Sequence, residues 1–283
     1  MKKLKIYLLV FMSVVVLAFF VSVEFSKAQT GSLKVYFFDI GQGDSILIRT
    51  PEGKDILIDG GPDSVVIERL GEALPFWDRH LDIVVLTHPH DDHVLGLYDV
   101  LARYRVDLVL EPSIKNEPGN MIYFNGMTEK EKSVLKDDAI TLGEDLKIEF
   151  IYPFSLELEE ENLNNTSLVF KLSYRDIDFL FTGDATEDVE AKILSENLES
   201  EFLKVGHHGS RYSSSQEFLD KVSPLVSVIS VGEGNSFGHP TQDALDRLAA
   251  VGSRVLRTDK NGTVEVEVFE GGEWEISCGK GCK

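Results

Sequence analysis

The sequence predicts an α/β protein (α+β under other schemes) built as a four-layer αββα sandwich, two β-sheets packed face to face with helices outside. Three observations predict it. Two strand-rich stretches are each joined to helices, short apolar runs are separated by turn residues such as GQG and PEG, and no low-complexity linker divides the chain. At 283 residues one large domain with a substantial core is the default.

In chain order, LKVYFFDI (33–40), DSILIRT (44–50) and DILID (55–59) alternate or run apolar and read as strands. A helix is expected around SVVIERLGEAL, then the apolar strand DIVVL and a helix from Val94 to Arg103. A strand at Val106–Leu110 is followed by a stretch read as irregular as far as LKIEFIY (146–152), after which SLVFKLSY (167–174) and IDFLFT (177–182) are strands. The charge block LELEEEN (156–162) reads as a solvated turn. The last third alternates: a helix near 187–198, strand FLKV, a helix near 214–222, strand LVSVIS, a helix from Thr241 to Val251, and short strands at 254–257, 263–268 and 273–277. The folded domain is therefore expected over 33–277.

The two ends stand apart from it. Lys2, Lys3 and Lys5 flank an apolar run from Ile6 to Val23, and Ser26-Lys27-Ala28 offers small residues for cleavage after Ala28. Residues 1–28 thus read either as a signal peptide or as an uncleaved N-terminal membrane anchor, and both place the domain outside the cytoplasm, secreted or held at the membrane. The tail 278–283 carries the only two cysteines, Cys278 and Cys282, spaced for a short disulfide loop in an oxidising compartment.

Charge excludes one class of function. The formal net charge is −20 and the pI about 4.7. Removing residues 1–28, with four Lys and one Glu, makes the remainder more acidic still. Phosphate-backbone affinity grows with Lys and Arg contacts, so diffuse binding of long DNA or anionic lipid is disfavoured.

Chemistry concentrates in three loops. His88, His90, Asp92 and His93 follow one strand in THPHDDHVLG, Asp184 follows a second in LFTGDAT, and His207 and His208 follow a third in LKVGHHGS. Neighbouring strand ends converge on one sheet edge, and imidazole with carboxylate is the ligand set of zinc, manganese or iron. The chain has seven histidines and five of them lie in these two motifs, which chance explains poorly. Two ligand pairs facing two points, with Asp184 able to bridge them, suggest two divalent ions and a hydrolytic site.

HPHDDH matches the HxHxDH signature of the metallo-β-lactamase superfamily, and the chain resembles the branch formed by the metallo-hydrolase domain of the DNA-uptake channel ComEC and its stand-alone relatives. FFDIGQGDSILIRTPEGKDILIDGG (37–61), THPHDDHVLG (87–96), NNTSLVFKL (164–172), LFTGDA (180–185), LKVGHHGSRYSSS (203–215) and VGEGNSFGHP (231–240) carry the likeness, in the expected order. The resemblance implies the αββα sandwich, a dinuclear site holding Zn²⁺ or Mn²⁺, and hydrolysis, usually of phosphodiester bonds. It makes His88, His90, Asp92, His93 and Asp184 metal ligands, with Asp92 and Asp184 also catalytic, and one histidine of the pair His207-His208 completes the second metal, His208 being favoured for the metal and His207 for substrate. It further implies that Asp59 braces the histidine loop and that Asp39, with Gln42, Gly43 and Asp44, shapes the floor of the site; from the residues alone Asp59 equally reads as a strand-end turn residue and the second group as a hairpin turn.

One departure from the family pattern is informative. No histidine occurs between His93 and Asp184, where the superfamily usually supplies another ligand, and NNTS stands there instead. Asn165 would offer only an amide oxygen, which makes manganese a serious candidate beside zinc. Asn165, Ser167, Ser210 and Arg211 are expected to contact substrate, the serines and the guanidinium suiting a phosphate. The same serines equally read as a polar loop capping the next helix. His239 in GHP is expected either to protonate a leaving oxygen or to be a turn residue.

The function that follows is a metal-dependent phosphodiesterase or nuclease acting on small or single-stranded substrates. The alternative is hydrolysis of amide, lactam or thioester bonds on the same site. The channel itself is excluded by the lack of many membrane helices, and nothing points to a protein partner.

Overall fold

A computed structural model describes residues 2–28 and 31–282, with the backbone alone at 2–4, 6 and 23–28. The first helix, α1 (Lys2–Ala28), precedes the domain, and its side chains from Tyr7 to Val21 are exposed. No helix among the described residues is long and apolar enough to cross a membrane. The side chains of the expected cleavage site, Ser26–Ala28, lie outside the described residues.

The elements run β1 (Leu33–Phe37), β2 (Ile46–Arg49), β3 (Asp55–Ile58), α2 (Val65–Ala73), β4 (His80–Val85), α3 (Asp91–Arg103), β5 (Arg105–Glu111), α4 (Gly119–Asn125) and β6 (Glu131–Ser133). There follow β7 (Ala139–Leu142), β8 (Leu146–Tyr152), β9 (Val169–Tyr174), β10 (Ile177–Phe181), α5 (Glu187–Ile193), β11 (Phe202–Lys204) and α6 (Gln216–Val222). The chain closes with β12 (Val226–Ile229), α7 (Gln242–Ala250), β13 (Arg254–Arg257), α8 (Thr258–Asn261), β14 (Val264–Val268) and β15 (Trp274–Cys278).

Two sheets result. The first has the order β15-β14-β1-β2-β3-β4-β5-β6 and the second β13-β12-β11-β10-β9-β8-β7. Residues such as Phe37, Ile48 and Ile58 of the first interdigitate with Phe150, Phe170 and Phe181 of the second to form the central core. Leu47, Leu57 and Val84, on the other face of the first sheet, bury Val66 and Leu70 of α2 and Leu97 of α3. Leu180 and Leu203 of the second sheet bury Val189 of α5, Phe218 of α6 and Leu248 of α7. The four layers are thus helix, sheet, sheet, helix, and each such apolar side chain contributes about 1.5–3 kcal/mol by leaving water.

The sequence expectation missed α4, β6 and β7, which occupy the stretch read as irregular. GNMIYFN has no regular polar face and EKS is only three residues long, so neither carries a periodic signal. α3 also begins three residues earlier than expected, at Asp91, which places Asp91, Asp92 and His93 in its first turn. The tail is not separate, because Cys278 ends β15 and forms a disulfide with Cys282.

Candidate metal centre

The parallel strands β3 and β4 end beside each other in the first sheet, and β10, β11 and β12 do so in the second. Asp59 follows β3, His88 to His93 follow β4, Asp184 follows β10 and His207-His208 follow β11. The ligand types therefore meet at the seam between the sheets, outside the carboxyl ends of their strands. Close backbone approach holds the loops. Asp44 N donates to Asp92 O at 3.2 Å, and a Cβ on Gly43, whose φ is +132°, would stand 2.2 Å from that oxygen. Only glycine fits there.

Two histidines are aimed with one nitrogen tied back. His93 Nδ1 pairs with Asp59 Oδ2 at 2.8 Å, leaving Nε2 3.5 Å from Asp184 Oδ2 and 3.9 Å from Asp92 Oδ1. His208 Nδ1 donates to Ser230 O at 2.9 Å, leaving Nε2 3.3 Å from both Asp92 Oδ2 and Asp184 Oδ2. This outer tether is how ligating imidazoles are oriented and their tautomer fixed. His207 and His208 have φ values of 48° and 53°, two consecutive non-glycine residues in the left-handed region. Such backbone costs on the order of 1–3 kcal/mol per residue and persists where the surroundings over-determine it.

His88 is fully buried between Thr87 Oγ1, 3.1 Å from its Nδ1, and His90 Nδ1, 3.1 Å from its Nε2. Burial, and then the neighbouring His93, hold His88 well below the usual imidazole range; burial also lowers His90 and His207. Burial opposes charge on His93 and His208 too, but Asp184 outweighs it, with Asp59 beside His93 and Asp92 and Asp44 beside His208. His93 stays well above its ordinary value and His208 at about 10. Burial also acts on Asp184 and Asp92, yet the two imidazoles hold both carboxyls below the carboxylate range.

The donor set fits divalent cations. His93 Nε2, His208 Nε2, Asp184 Oδ1 and Asp44 Oδ1 are buried with no hydrogen-bond partner, an arrangement native interiors rarely leave unmet. Ligand atoms of His88, His93 and Asp184 lie within 4.8 Å of one another, as do those of Asp92, His93 and His208, and of Asp44, Asp184 and His208.

Several expected contacts fall elsewhere. Asn165 Oδ1 accepts from Thr186 Oγ1 at 2.6 Å and so is spent on the loop; Asn164, one step round the same turn, donates to His207 Nε2 at 3.3 Å. The asparagine that borders the histidines is therefore Asn164. Ser167 Oγ accepts from Asp184 N at 3.0 Å and so fixes the backbone of the aspartate. Ser210 Oγ accepts from Tyr212 N at 3.3 Å, while Arg211 is exposed and lies outside the cavity. Ser214 N and Ser215 N donate to the buried Glu190, and Arg247 clasps the carbonyls of Arg211, Ser213 and Ser214. Ser215 caps α6, its side chain accepting from Phe218 N. Asp39 faces away as well, accepting from Lys280 Nζ at 3.0 Å and from Arg69 Nε through its carbonyl at 2.9 Å. Asp59 sits behind the histidine loop, accepting from Thr87 N at 2.8 Å and Thr87 Oγ1 at 2.7 Å.

Lys204 was not foreseen. It ends β11 fully buried, with Nζ on Asp44 Oδ2, 3.6 Å from Asp184 Oδ1 and 3.0 Å from Gly183 O. Its signal is a lysine inside the apolar run FLKV directly before GHHG.

Above these residues opens a cavity of about 460 Å³ lined by Gln42, Pro62, His90, Asp92, Asp184, His207, His208, Phe237 and His239, among others. His239 is held below the ordinary range, at about 4, by burial and by His207 and His208, and is a neutral ring at pH 7.

The metallo-beta-lactamase superfamily profile matches residues 38–233. ComE operon protein 3 of Bacillus subtilis (strain 168) is 31% identical over 255 residues, 82% of this chain and 32% of that protein. Competence protein ComA of Neisseria gonorrhoeae is 30% identical, over 92% of this chain and 36% of its own length. The chain thus spans about a third of these relatives. A mutant of the CmlA beta-hydroxylase superposes with a TM-score of 0.56 at 15% identity, over 83% of this chain and 54% of that one, a likeness of fold alone.

Proposed function

The chain belongs to the metallo-β-lactamase superfamily and is a metal-dependent hydrolase of that class; we propose that the bond it cleaves is a phosphodiester, in a small or single-stranded substrate. The observation that carries the reading is the cluster of buried, unpartnered ligand atoms of His93, His208, Asp44 and Asp184 beneath a cavity whose lining includes no Lys or Arg. With no Lys or Arg among the described residues of the lining, and with His208 taken up as a ligand, an anionic phosphoryl group would have to be met by bound cations. The likeness of the domain to a protein named for competence supports a nucleic-acid substrate, and the chain's charge of −20 favours a short one.

In this reading His88 and His90 would hold one divalent ion and Asp92, His93 and His208 a second, with Asp184 available to both, a donor set that would suit Mn²⁺ or Zn²⁺. Two such ions supply an activated water and Lewis-acid stabilisation of charge on the attacking and leaving oxygens. The protein's own groups do the rest. Asp59 and Ser230 O fix the tautomers of His93 and His208, and Lys204 holds Asp44 and Asp184 in place. Neutral His239, facing the cavity, orients a leaving oxygen by a hydrogen bond. The Cys278–Cys282 disulfide supports work outside the cytoplasm, where such bonds persist.

The test is hydrolysis of bis-p-nitrophenyl phosphate, a short oligonucleotide and plasmid DNA with added Mn²⁺ or Zn²⁺, with EDTA-stripped protein and Asp184→Ala as controls. Metal-dependent cleavage of the first two, lost in both controls, is expected. Opening of a lactam or thioester with no cleavage of any phosphodiester overturns the proposal.

A further inference from the structure

An aromatic ring stands uncovered at the mouth of the cavity. Phe237 is 65% exposed, yet it lines the same cavity as His90, Asp184 and His208. Its loop is well fixed: Asn235 Oδ1 accepts from Phe237 N at 3.2 Å and His239 N at 3.1 Å, and Asn235 Nδ2 donates to Gly232 O at 3.0 Å and His239 O at 2.7 Å. The Phe237 ring lies nearly parallel to that of His239, with centroids 5.9 Å apart and planes at 27°. His239 in turn stands 5.5 Å from His207. Rings therefore step from the floor of the site to its rim.

An apolar ring held rigidly in water at a site mouth is a surface without its partner. Pro62 and Phe237 are the two apolar side chains in the lining, and Asp91, Asp92 and Asp184 give it negative charge. Such a mouth offers no coulombic attraction to the body of an anionic substrate. Binding beyond the phosphoryl group must come from apolar or stacking contact. A nucleobase provides that contact, since every base presents a π-face, and the sugar between base and phosphate matches the step from rim to floor. A quaternary ammonium headgroup fits less well, because cation–π capture uses a cage of several aromatic rings and, among the described residues, Phe237 is the one non-histidine aromatic in the lining.

We propose that Phe237 is a stacking platform for a nucleobase, so that the substrates of this site are nucleotides or single-stranded nucleic acid. The proposal rests on the phosphodiesterase reading for its reaction but not for its binding step.

Binding and cleavage are therefore measured separately on the full chain with Mn²⁺. Titration calorimetry compares AMP with ribose 5-phosphate, which differ only in the base, for the wild type, Phe237→Leu and Phe237→Trp. Stacking is worth about 1–3 kcal/mol per base, so the wild type is expected to prefer AMP by about 5- to 150-fold. The preference should fall toward one in Phe237→Leu, which keeps an apolar side chain, and persist in Phe237→Trp. Equal binding of the two ligands by the wild type, a preference intact in Phe237→Leu, or tighter binding of phosphocholine than of AMP overturns the proposal. Cleavage of a short oligothymidylate is followed alongside. A Phe237-dependent preference without cleavage sustains the platform and removes the phosphodiesterase reading, whereas cleavage with no such preference does the reverse.

Discussion

Replacing Asp59 with Asn should loosen the metal centre while leaving the fold in place. Asp59 is fully buried, with a φ of 56° that asparagine tolerates, so the exchange is nearly isosteric. The new side chain can still accept from Thr87 N. Its amide NH₂ then faces Thr87 Oγ1 and His93 Nδ1, where the carboxylate accepted at 2.7 and 2.8 Å. The threonine hydroxyl can rotate, but the imidazole must move its proton to Nε2, the atom that faces Asp92 and Asp184. A charge-assisted hydrogen bond of this kind is worth about 1.5–3 kcal/mol. Loss of an outer partner of a ligating histidine typically costs about 10–100-fold in metal affinity, or about 1.4–2.8 kcal/mol, and the two figures agree. The dissociation constant for Mn²⁺ or Zn²⁺, measured by competition with a chromophoric chelator, should therefore rise by about 10–100-fold. Circular dichroism should show an unchanged fold, and Thr87→Ser, which keeps the hydroxyl, should change little. Wild-type metal affinity in a folded Asp59→Asn would refute the idea that this carboxylate sets the tautomer of His93.

Two further changes probe buried charge. Lys204→Met leaves Asp44 and Asp184 buried without their ammonium partner, so urea unfolding should show a loss of about 3–5 kcal/mol, partly restored by Mn²⁺ because the cation compensates the same carboxylates. A loss below about 1 kcal/mol would show that the pair is not needed. Glu111, buried with its Oε2 unpartnered, is pushed up to about 7 by burial and by Glu117 and Glu131. The folded chain therefore holds a proton that the unfolded chain releases near 4.5, and stability falls as pH rises from about 4.5 to 7. Glu111→Gln removes that loss. It should be near neutral at pH 4 and stabilising by about 1–2 kcal/mol at pH 8, after allowance for solvent screening, and thermal melts with no pH-dependent difference would exclude the effect.

Most of the sandwich was legible because its strands are short apolar runs between Gly- and Pro-containing turns, and its outer helices carry one apolar face. The stretch from Glu111 to Leu146 was not, because its elements are short and half exposed and take their shape from neighbours. The ligand residues were legible because histidine is scarce and clustered. Their supporting partners were harder to read, since Ser167, Ser210 and Asn165 have the same hydrogen-bonding chemistry whether they face a substrate or the backbone behind it. Only the direction of each side chain separates the two, and in a turn such as Leu163–Thr166 that direction changes with every residue.

The pairing of β1 with β14 has a consequence in time. Leu33–Phe37 lies near the start of the chain and its partner strand, Val264–Val268, near the end. As the chain is synthesised, that edge of β1 waits unpaired until residues 38–263 have emerged and β14 follows them. A strand edge of that kind invites pairing with another chain. Sequence separation of this order also slows folding, since the long loop must be closed before the contact rewards it. The strand β14, remote from the chemistry, thus decides when that edge of β1 is covered, and a chain that stops before it emerges with the edge open.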